Sequence, residues 1–328
     1  MTTLFIDRKG ISLRADGGVL AFYDDTGRIG TVPLRLLERV CIRGDVGLSA
    51  SVLGALGEQG VGLLVLNGRK RQPVLMMPAL KADSRRRAAQ YAVAKNVQAC
   101  LRLARGWVAE KLSAQAQMLC RLAERRQGAV AASLSEAARQ IDILHHRAIE
   151  TVCGLDSLRG LEGAAAARYF SAWADFLPKS WHFSGRNRRP PKDGINAVLS
   201  LGYTLLHFEW VREIYLCGLD PFVGFYHVPE YGRESLACDL LESMRPLFDC
   251  WLLDQVGGGL FRPEDFSMAG EACLMGKAAR LRFYPAYEDA AKSWRDRMVE
   301  SCRRLLHDLG ALAGGGMEFS LPQRQILE

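Results

Sequence analysis

A chain of 328 residues, 49% hydrophobic and 24% charged, is long enough for two cores and too apolar to stay unfolded. No apolar run approaches a membrane span, MTTLFIDRKG lacks a signal-peptide pattern, and nine cysteines show no paired C-x-x-C spacing, so the expectation is a cytoplasmic protein with reduced thiols and no membrane partner. A formal charge of +7 and a pI near 9.0 point toward a polyanionic partner.

Residues 1–80 read as β-rich. Thr3–Ile6 and Ile11–Arg14 flank an ArgLysGly turn, and Val19–Tyr23 and Arg28–Val32 flank AspAspThrGly, a hairpin pattern. Val40–Ile42 is a further short strand. Ser49 is placed to cap a helix over Ala50–Gln59 that Gly60 closes. Gly62–Leu66 and Pro73–Met77 are apolar runs separated by the turn AsnGlyArgLysArgGln, which completes a small sheet domain with one helix. Beyond Pro78 and Asp83 almost every long segment has helical periodicity. Ser84–Arg126 is one long pattern, with Ala89, Val93, Val97 and Leu101 at steps of four. Helices follow over Ser133–Val152, Ser157–Leu177, Asp193–Leu219 and Glu234–Val256. The tail alternates helices around Pro263–Phe266 and Tyr287–Leu309, then frays through GlyGlyGly at 314–316. The expected fold is α+β: a small β-rich domain over 1–80 and a larger all-α catalytic domain over 84–328, with the boundary near 79–84.

Three places carry chemistry that apolar packing does not need. In Gly224–Leu247, His227 leaves a short apolar run, a polar loop follows, and Asp239 and Glu242 lie three residues apart on the next helix. That spacing puts both carboxylates on one helical face, and an imidazole ahead of them is a beginning for a divalent-metal site. In Arg159–Phe170, Glu162 stands between Gly160 and Gly163 in an alanine-rich helix, where a carboxylate needs a partner unless it is exposed near the helix start. In Arg186–Asn196, Pro190 and Pro191 stiffen a loop of cations ahead of Asp193, which can cap the following helix. Lys179–Lys192 holds five Lys/Arg and no acid, the pattern of a phosphate-contacting loop. Asp83–Arg126 carries ten Lys/Arg against three acids, which solvated helix faces alone explain. Cys217, Cys238 and Cys250 read as core thiols, and His145, His146, His182, His207 and His307 as structural or surface residues.

GlyLeuGluGly with AlaAlaArgTyrPhe, ArgArgProProLysAspGlyIleAsnAlaValLeuSer, GlyLeuAspProPheValGlyPheTyrHis, and SerLeuAlaCysAspLeuLeuGlu with MetArgPro stand in that order across 160–247. Together they resemble the CRISPR-associated adaptation integrase, the Cas-one family, and the two-part build of the chain is similar to it as well. The resemblance implies a metal-dependent DNA endonuclease or integrase of antiviral spacer acquisition, in which a DNA 3′-hydroxyl attacks a repeat phosphodiester, with nuclease activity on branched DNA or RNA. It implies that Glu162, His227 and Glu242 hold Mn²⁺ or Mg²⁺, with Asp239 beside them as orienter, alternate ligand or proton acceptor. Arg188, Arg189 and Lys192, with Arg233 and Arg245, are the residues expected on DNA phosphates, although Arg245 can equally pair with Glu242 or Asp239. Spacer DNA, the CRISPR repeat, a second copy of the chain joined through the sheet domains, and the small Cas-two protein in a heterohexamer-type complex are the implied partners. A non-catalytic DNA-binding scaffold is the rival reading; its binding would be indifferent to chelators.

Overall fold

The computed structural model of the chain describes residues 2–66, 73–80, 82–228, 230–313 and 319. The expected turn at 67–72 and the GlyGlyGly at 314–316 lie outside them. By its contacts the chain separates into two compact units, whose described residues are those within 2–82 and 284–291 for one and within 83–283 and 292–319 for the other.

Among the described residues the first unit holds two four-stranded sheets, one helix of its own and the helical stretch 284–291. β1 (Thr2–Asp7), β5 (Leu37–Arg43), β7 (Gly62–Leu66) and β8 (Val74–Met76) form one sheet in the order β1-β5-β7-β8, with β1 and β7 both parallel to β5. β4 (Gly27–Pro33), β3 (Val19–Asp24), β2 (Ile11–Asp16) and β6 (Val46–Leu48) form the other. The expected β3–β4 hairpin is present. The ArgLysGly link is not a hairpin turn, because β1 pairs with β5 whereas β2 pairs with β3 and β6, so the chain changes sheet at Gly10. Gly10 takes φ +71, a left-handed conformation that permits that abrupt change, and its amide donates to Asp45. α1 (Ala50–Glu58) follows Ser49, whose hydroxyl pairs with Ser51 instead of capping the helix. Leu13, Leu20, Val40, Ile42, Val52, Leu56 and Leu63 join both sheets and α1 in one core. Val61–Leu66 is thus interior, whereas Val74 on the edge strand β8 is 56% exposed.

The second unit is helical: α2 (Ser84–Ala94), α3 (Val97–Glu124), α4 (Gly128–Glu150), α5 (Leu155–Phe176), α6 (Gly194–Leu216) and α7 (Ser235–Gly257), then most of α8 (Lys277–Leu312). The long pattern over Ser84–Arg126 is two helices, because Asn96 turns its carboxamide oxygen onto the amides of Gln98 and Ala99 and starts α3 anew. Asp193 caps α6 as its position predicts, accepting from the Asn196 amide at 2.8 Å. The unit is not all helix. Phe266–Ala269 (β9) and Ala272–Met275 (β10) form a small antiparallel hairpin around Gly270, φ +65, which corrects the expectation of an all-α domain over 84–328.

α6 and α7 pack closely where Gly202 faces Phe248. A Cβ at Gly202 would lie 1.9 Å from the Phe248 ring, which is itself fully buried. Gly202→Ala is therefore expected to destabilise the protein by about 1–3 kcal/mol, read by urea unfolding, because a packed core yields little to an added methyl.

Candidate metal centre

Asp239, Glu242, Arg245 and Asp249 recur on α7 at steps of three and four, so one face of the helix carries charge into the unit's interior. Three of the four are buried, and Arg245 keeps only 15% of its side chain exposed. Each such group needs a partner, since a lone charge in an apolar interior is strongly unfavourable.

Asp239 finds its partners in the loop that precedes the helix. Its Oδ2 accepts the amides of Phe225 (2.6 Å) and Tyr226 (3.0 Å), and its Oδ1 accepts the His227 amide (2.8 Å) and His227 Nδ1 (2.7 Å). A carboxylate only accepts, so Nδ1 carries the imidazole proton and Nε2 is the nitrogen with a free lone pair. All four acceptor positions of Asp239 are used, which leaves none for an ion. Gly224 makes this possible: a Cβ there would lie 2.7 Å from Asp239 Oδ2 and 2.8 Å from the Ser235 carbonyl carbon. The loop is braced from both sides. Gln90 of α2 exchanges hydrogen bonds with Asp220 and donates to Val223, and Arg159 of α5 donates to the Tyr226 carbonyl at 2.6 Å.

Glu242 and Glu162 are brought together by a residue outside every sequence motif. Lys111 of α3 is 4% exposed, and its ammonium contacts Glu162 Oε1 of α5 and, at 2.5 Å, Glu242 Oε2 of α7. Arg245 Nε holds the other Glu242 oxygen at 3.0 Å. Burial would raise the Glu242 carboxyl, but Arg245 and Lys111 outweigh it and hold it well below the usual carboxylate range. Burial likewise opposes the charge on Lys111, and Glu242 with Glu162 overcomes it, leaving its pKa above the ordinary lysine value. Lys111 lies on the stripe of Ala104, Val108, Gln115, Leu119 and Leu122, all buried, so its helical phase marks it as interior although its type does not.

A divalent ion must suit what already surrounds these oxygens. The carboxylates of Glu162 and Glu242 share one cation, the Lys111 ammonium. The Tyr226 hydroxyl is buried with no hydrogen-bond partner among the described residues, and burial together with the nearby Glu162 and Glu242 charges raises its pKa. Two carboxylates and an imidazole whose free nitrogen is set by a neighbour are ligand types that suit a divalent ion, but the His227 nitrogens do not join the oxygens of Glu162 and Glu242 within 4.8 Å of one another. Another ligand-type group, Asp142, His145 and His146, brings its donor atoms within 4.8 Å on the outer part of α4, apart from the motif residues.

The basic candidates divide. Arg188, Arg189 and Lys192 are exposed, while Arg186 turns inward to Asn196 and the Asn187 carbonyl. Asn196 also binds the Gly185 carbonyl and Asp193, which fixes the loop that carries the three outer cations. Arg233 is half-exposed and pairs with Glu230 at 2.8 Å. Arg245 does not belong with them: it is enclosed, bonded to Glu242 and stacked 4.5 Å above the Tyr203 ring, so it serves the carboxylate instead of an outer phosphate surface.

Behind Arg245 the face ends in Asp249, fully buried, which accepts from Tyr203 at 2.5 Å and Tyr169 at 3.2 Å. Burial raises its carboxyl to about 7 in spite of both hydrogen bonds. The unfolded value is about 3.9, so between these limits the unfolded chain has released a proton that the folded chain keeps, and stability falls as pH rises through that window. Asp249→Asn removes this dependence. Relative to the wild type, the variant should gain stability between pH 4 and 7, by about 4 kcal/mol at most. Thermal unfolding at both pH values checks it, and a difference that does not change with pH would contradict the assignment.

The family profile described as CRISPR associated protein Cas1 matches residues 4–289. A CRISPR-associated endonuclease Cas1 of Thermodesulfovibrio yellowstonii is 38% identical over 325 residues, 96% of this chain and 100% of that protein. One from Rhodospirillum rubrum is 32% identical, covering 90% of this chain and 88% of the relative. Among solved structures, a Cas1 protein from Thermotoga maritima matches 97% of this chain and 99% of its own with a TM-score of 0.79 at 21% identity. A casposase bound to integration product matches 100% and 96% of the two chains with a TM-score of 0.81, also at 21% identity. With a profile spanning most of its length and a full-length relative at 38% identity, the chain belongs to the Cas1 family of CRISPR-associated proteins.

Proposed function

We propose that the chain is a divalent-metal-dependent DNA endonuclease and integrase of CRISPR spacer acquisition, joining a DNA 3′-hydroxyl to a phosphodiester of the repeat and releasing another 3′-hydroxyl. The observation that carries this is the meeting of Glu162 and Glu242, from two helices, through one cation, with the His227 ring oriented by Asp239 of the same helix as Glu242. The family supports it through relatives named CRISPR-associated endonuclease Cas1 and a structural neighbour bound to an integration product.

In this reading Glu162, Glu242 and His227 Nε2 hold the ion. A bound divalent ion supplies charge neutralisation at the scissile phosphate and a lower pKa for the attacking hydroxyl. The imidazole favours Mn²⁺ over Mg²⁺, which prefers oxygen shells. Asp239 is the orienter, not a ligand or proton acceptor, because its oxygens are fully used. Arg245 keeps Glu242 ionised and aimed. The buried Tyr226 hydroxyl is left to donate to substrate or solvent at the ion. Arg188, Arg189 and Lys192 contact DNA phosphates beside an open cavity of about 380 Å³ that Phe170, Ser171, Ser184, Arg186 and Arg188 help to line. Arg233 adds a weaker contact, since its exposed pair with Glu230 yields readily to phosphate.

Two copies would pair through the first unit, where Ile29, Leu36 and Val74 leave large apolar side chains exposed. A Cas2-type partner is supported by the structural neighbour described as a Cas6-RT-Cas1–Cas2 complex, matched over 98% of this chain and 36% of the other with a TM-score of 0.79. A cytoplasmic site of action fits this role, and among the described residues no helix is long and apolar enough to cross a membrane.

With Mn²⁺, the purified protein should cut and rejoin branched DNA. Glu162→Gln and His227→Ala should each lower that rate by about a hundredfold or more, the several kcal/mol that an ion supplies at a phosphoryl oxygen, with circular dichroism unchanged. Full activity in both variants would remove the site assignment. Replacing Arg188, Arg189 and Lys192 by alanine should make log affinity fall less steeply with log salt, by about 0.9 in slope for each phosphate no longer neutralised.

A further inference from the structure

We propose that Lys111 is a built-in competitor for the divalent ion, its ammonium and the ion taking the same oxygens of Glu162 and Glu242. The inference rests on the reading of those glutamates as ligands. Lys111 Nζ contacts Glu162 Oε1 and lies 2.5 Å from Glu242 Oε2. Glu242 Oε1 is held by Arg245 from one turn further along the same helix. Lys111 therefore occupies the Glu242 oxygen that Arg245 leaves open, and a divalent ion held by both glutamates would compete with the ammonium for it.

Among the described residues of this site the displaced ammonium would have no other open carboxylate to turn to. Asp239 is filled by three amides and the His227 ring, and Asp249 by two tyrosines. Nor does it reach water easily, since its side chain is 5% exposed. Ion and ammonium thus repel at close range in a poorly solvated setting, where Coulomb interactions are strong. Lys111 stabilises the ion-free protein by separating two like charges and weakens the ion's hold through the same two glutamates. It is a positioning residue, acting through them.

Isothermal titration of metal-free protein with MnCl₂ tests this on the wild type, Lys111→Met, Lys111→Gln and Glu162→Gln. Lys111→Met should bind Mn²⁺ at least tenfold more tightly than the wild type, while its metal-free melting temperature falls. A lysine with only a structural role would lower both stability and affinity. If Lys111→Met does not fold, Lys111→Gln is read by the same criterion. Affinity that is unchanged or weaker in the folded variant overturns the proposal. If Glu162→Gln binds Mn²⁺ as the wild type does, the ligand reading falls and the competitor role with it. If Glu162→Gln binds more weakly and the Lys111 variants bind no more tightly, only the competitor role falls.

Discussion

Opposite charges folded into one apolar bundle are the constraint on which the second unit depends. Lys111 comes from α3, Glu162 from α5, and Glu242 with Arg245 from α7. Taking any one of these ions out of water costs several kcal/mol, and the mutual pairing returns it only when the geometry is good. Three helices must therefore hold their positions for any of the charges to be tolerated. The surrounding packing supplies that rigidity: Val108 lies one turn before Lys111, Ala165 one turn beyond Glu162, and Leu241 and Met244 pack on other sides of α7, all buried. The apolar rows fix the helices and the charges fix which arrangement of the rows is acceptable.

The same face of α7 shows how one spacing yields three roles. Asp239, Glu242 and Asp249 are all acids at helical intervals, and nothing in their type separates them. Their neighbours do. Gly224 admits backbone amides against Asp239, which makes it an anchor for the loop and for the His227 ring. Two cations meet Glu242, which keeps it ionised. Asp249 meets two phenols and no cation at hydrogen-bonding distance, so burial governs it and its carboxyl rises to about 7. Environment, not position in the motif, divides the labour.

Such environments are only partly legible in a sequence. Strands bounded by turn residues are readable, as β3 and β4 around AspAspThrGly are. β6 escapes because three residues after Gly44 show no alternation, and β9–β10 because two four-residue strands are too short to break a helical expectation. The restart of a helix at Asn96 is written in its capping side chain but hidden by unbroken periodicity on both sides. Glu162, His227, Asp239 and Glu242 are legible because four motifs stand in one order. Lys111 is not, since a lysine in a basic helix reads as solvated; only its place on the buried stripe marks it. Arg245 has two acids within reach on its helix, and the three-residue step to Glu242 decides between them.

Charge balance in the site has a further effect. Glu162 and Glu242 are balanced by Lys111 and Arg245, while Asp239 is held by amides and a ring N–H that carry no net charge, so the ion-free cluster is negative by one. A dication added to it would leave the cluster positive by one in surroundings where few waters screen it. A site built only of carboxylates would instead approach neutrality on taking up the ion. Were an ion held there, the cations would convert its binding into attraction for an anion, and a phosphodiester nearby would relieve the repulsion that Lys111 feels. Ion and DNA then each favour the other's binding by the same free energy, as linkage requires. On the proposed reading, the buried lysine that weakens the ion in the free protein would make the ion's retention depend on DNA.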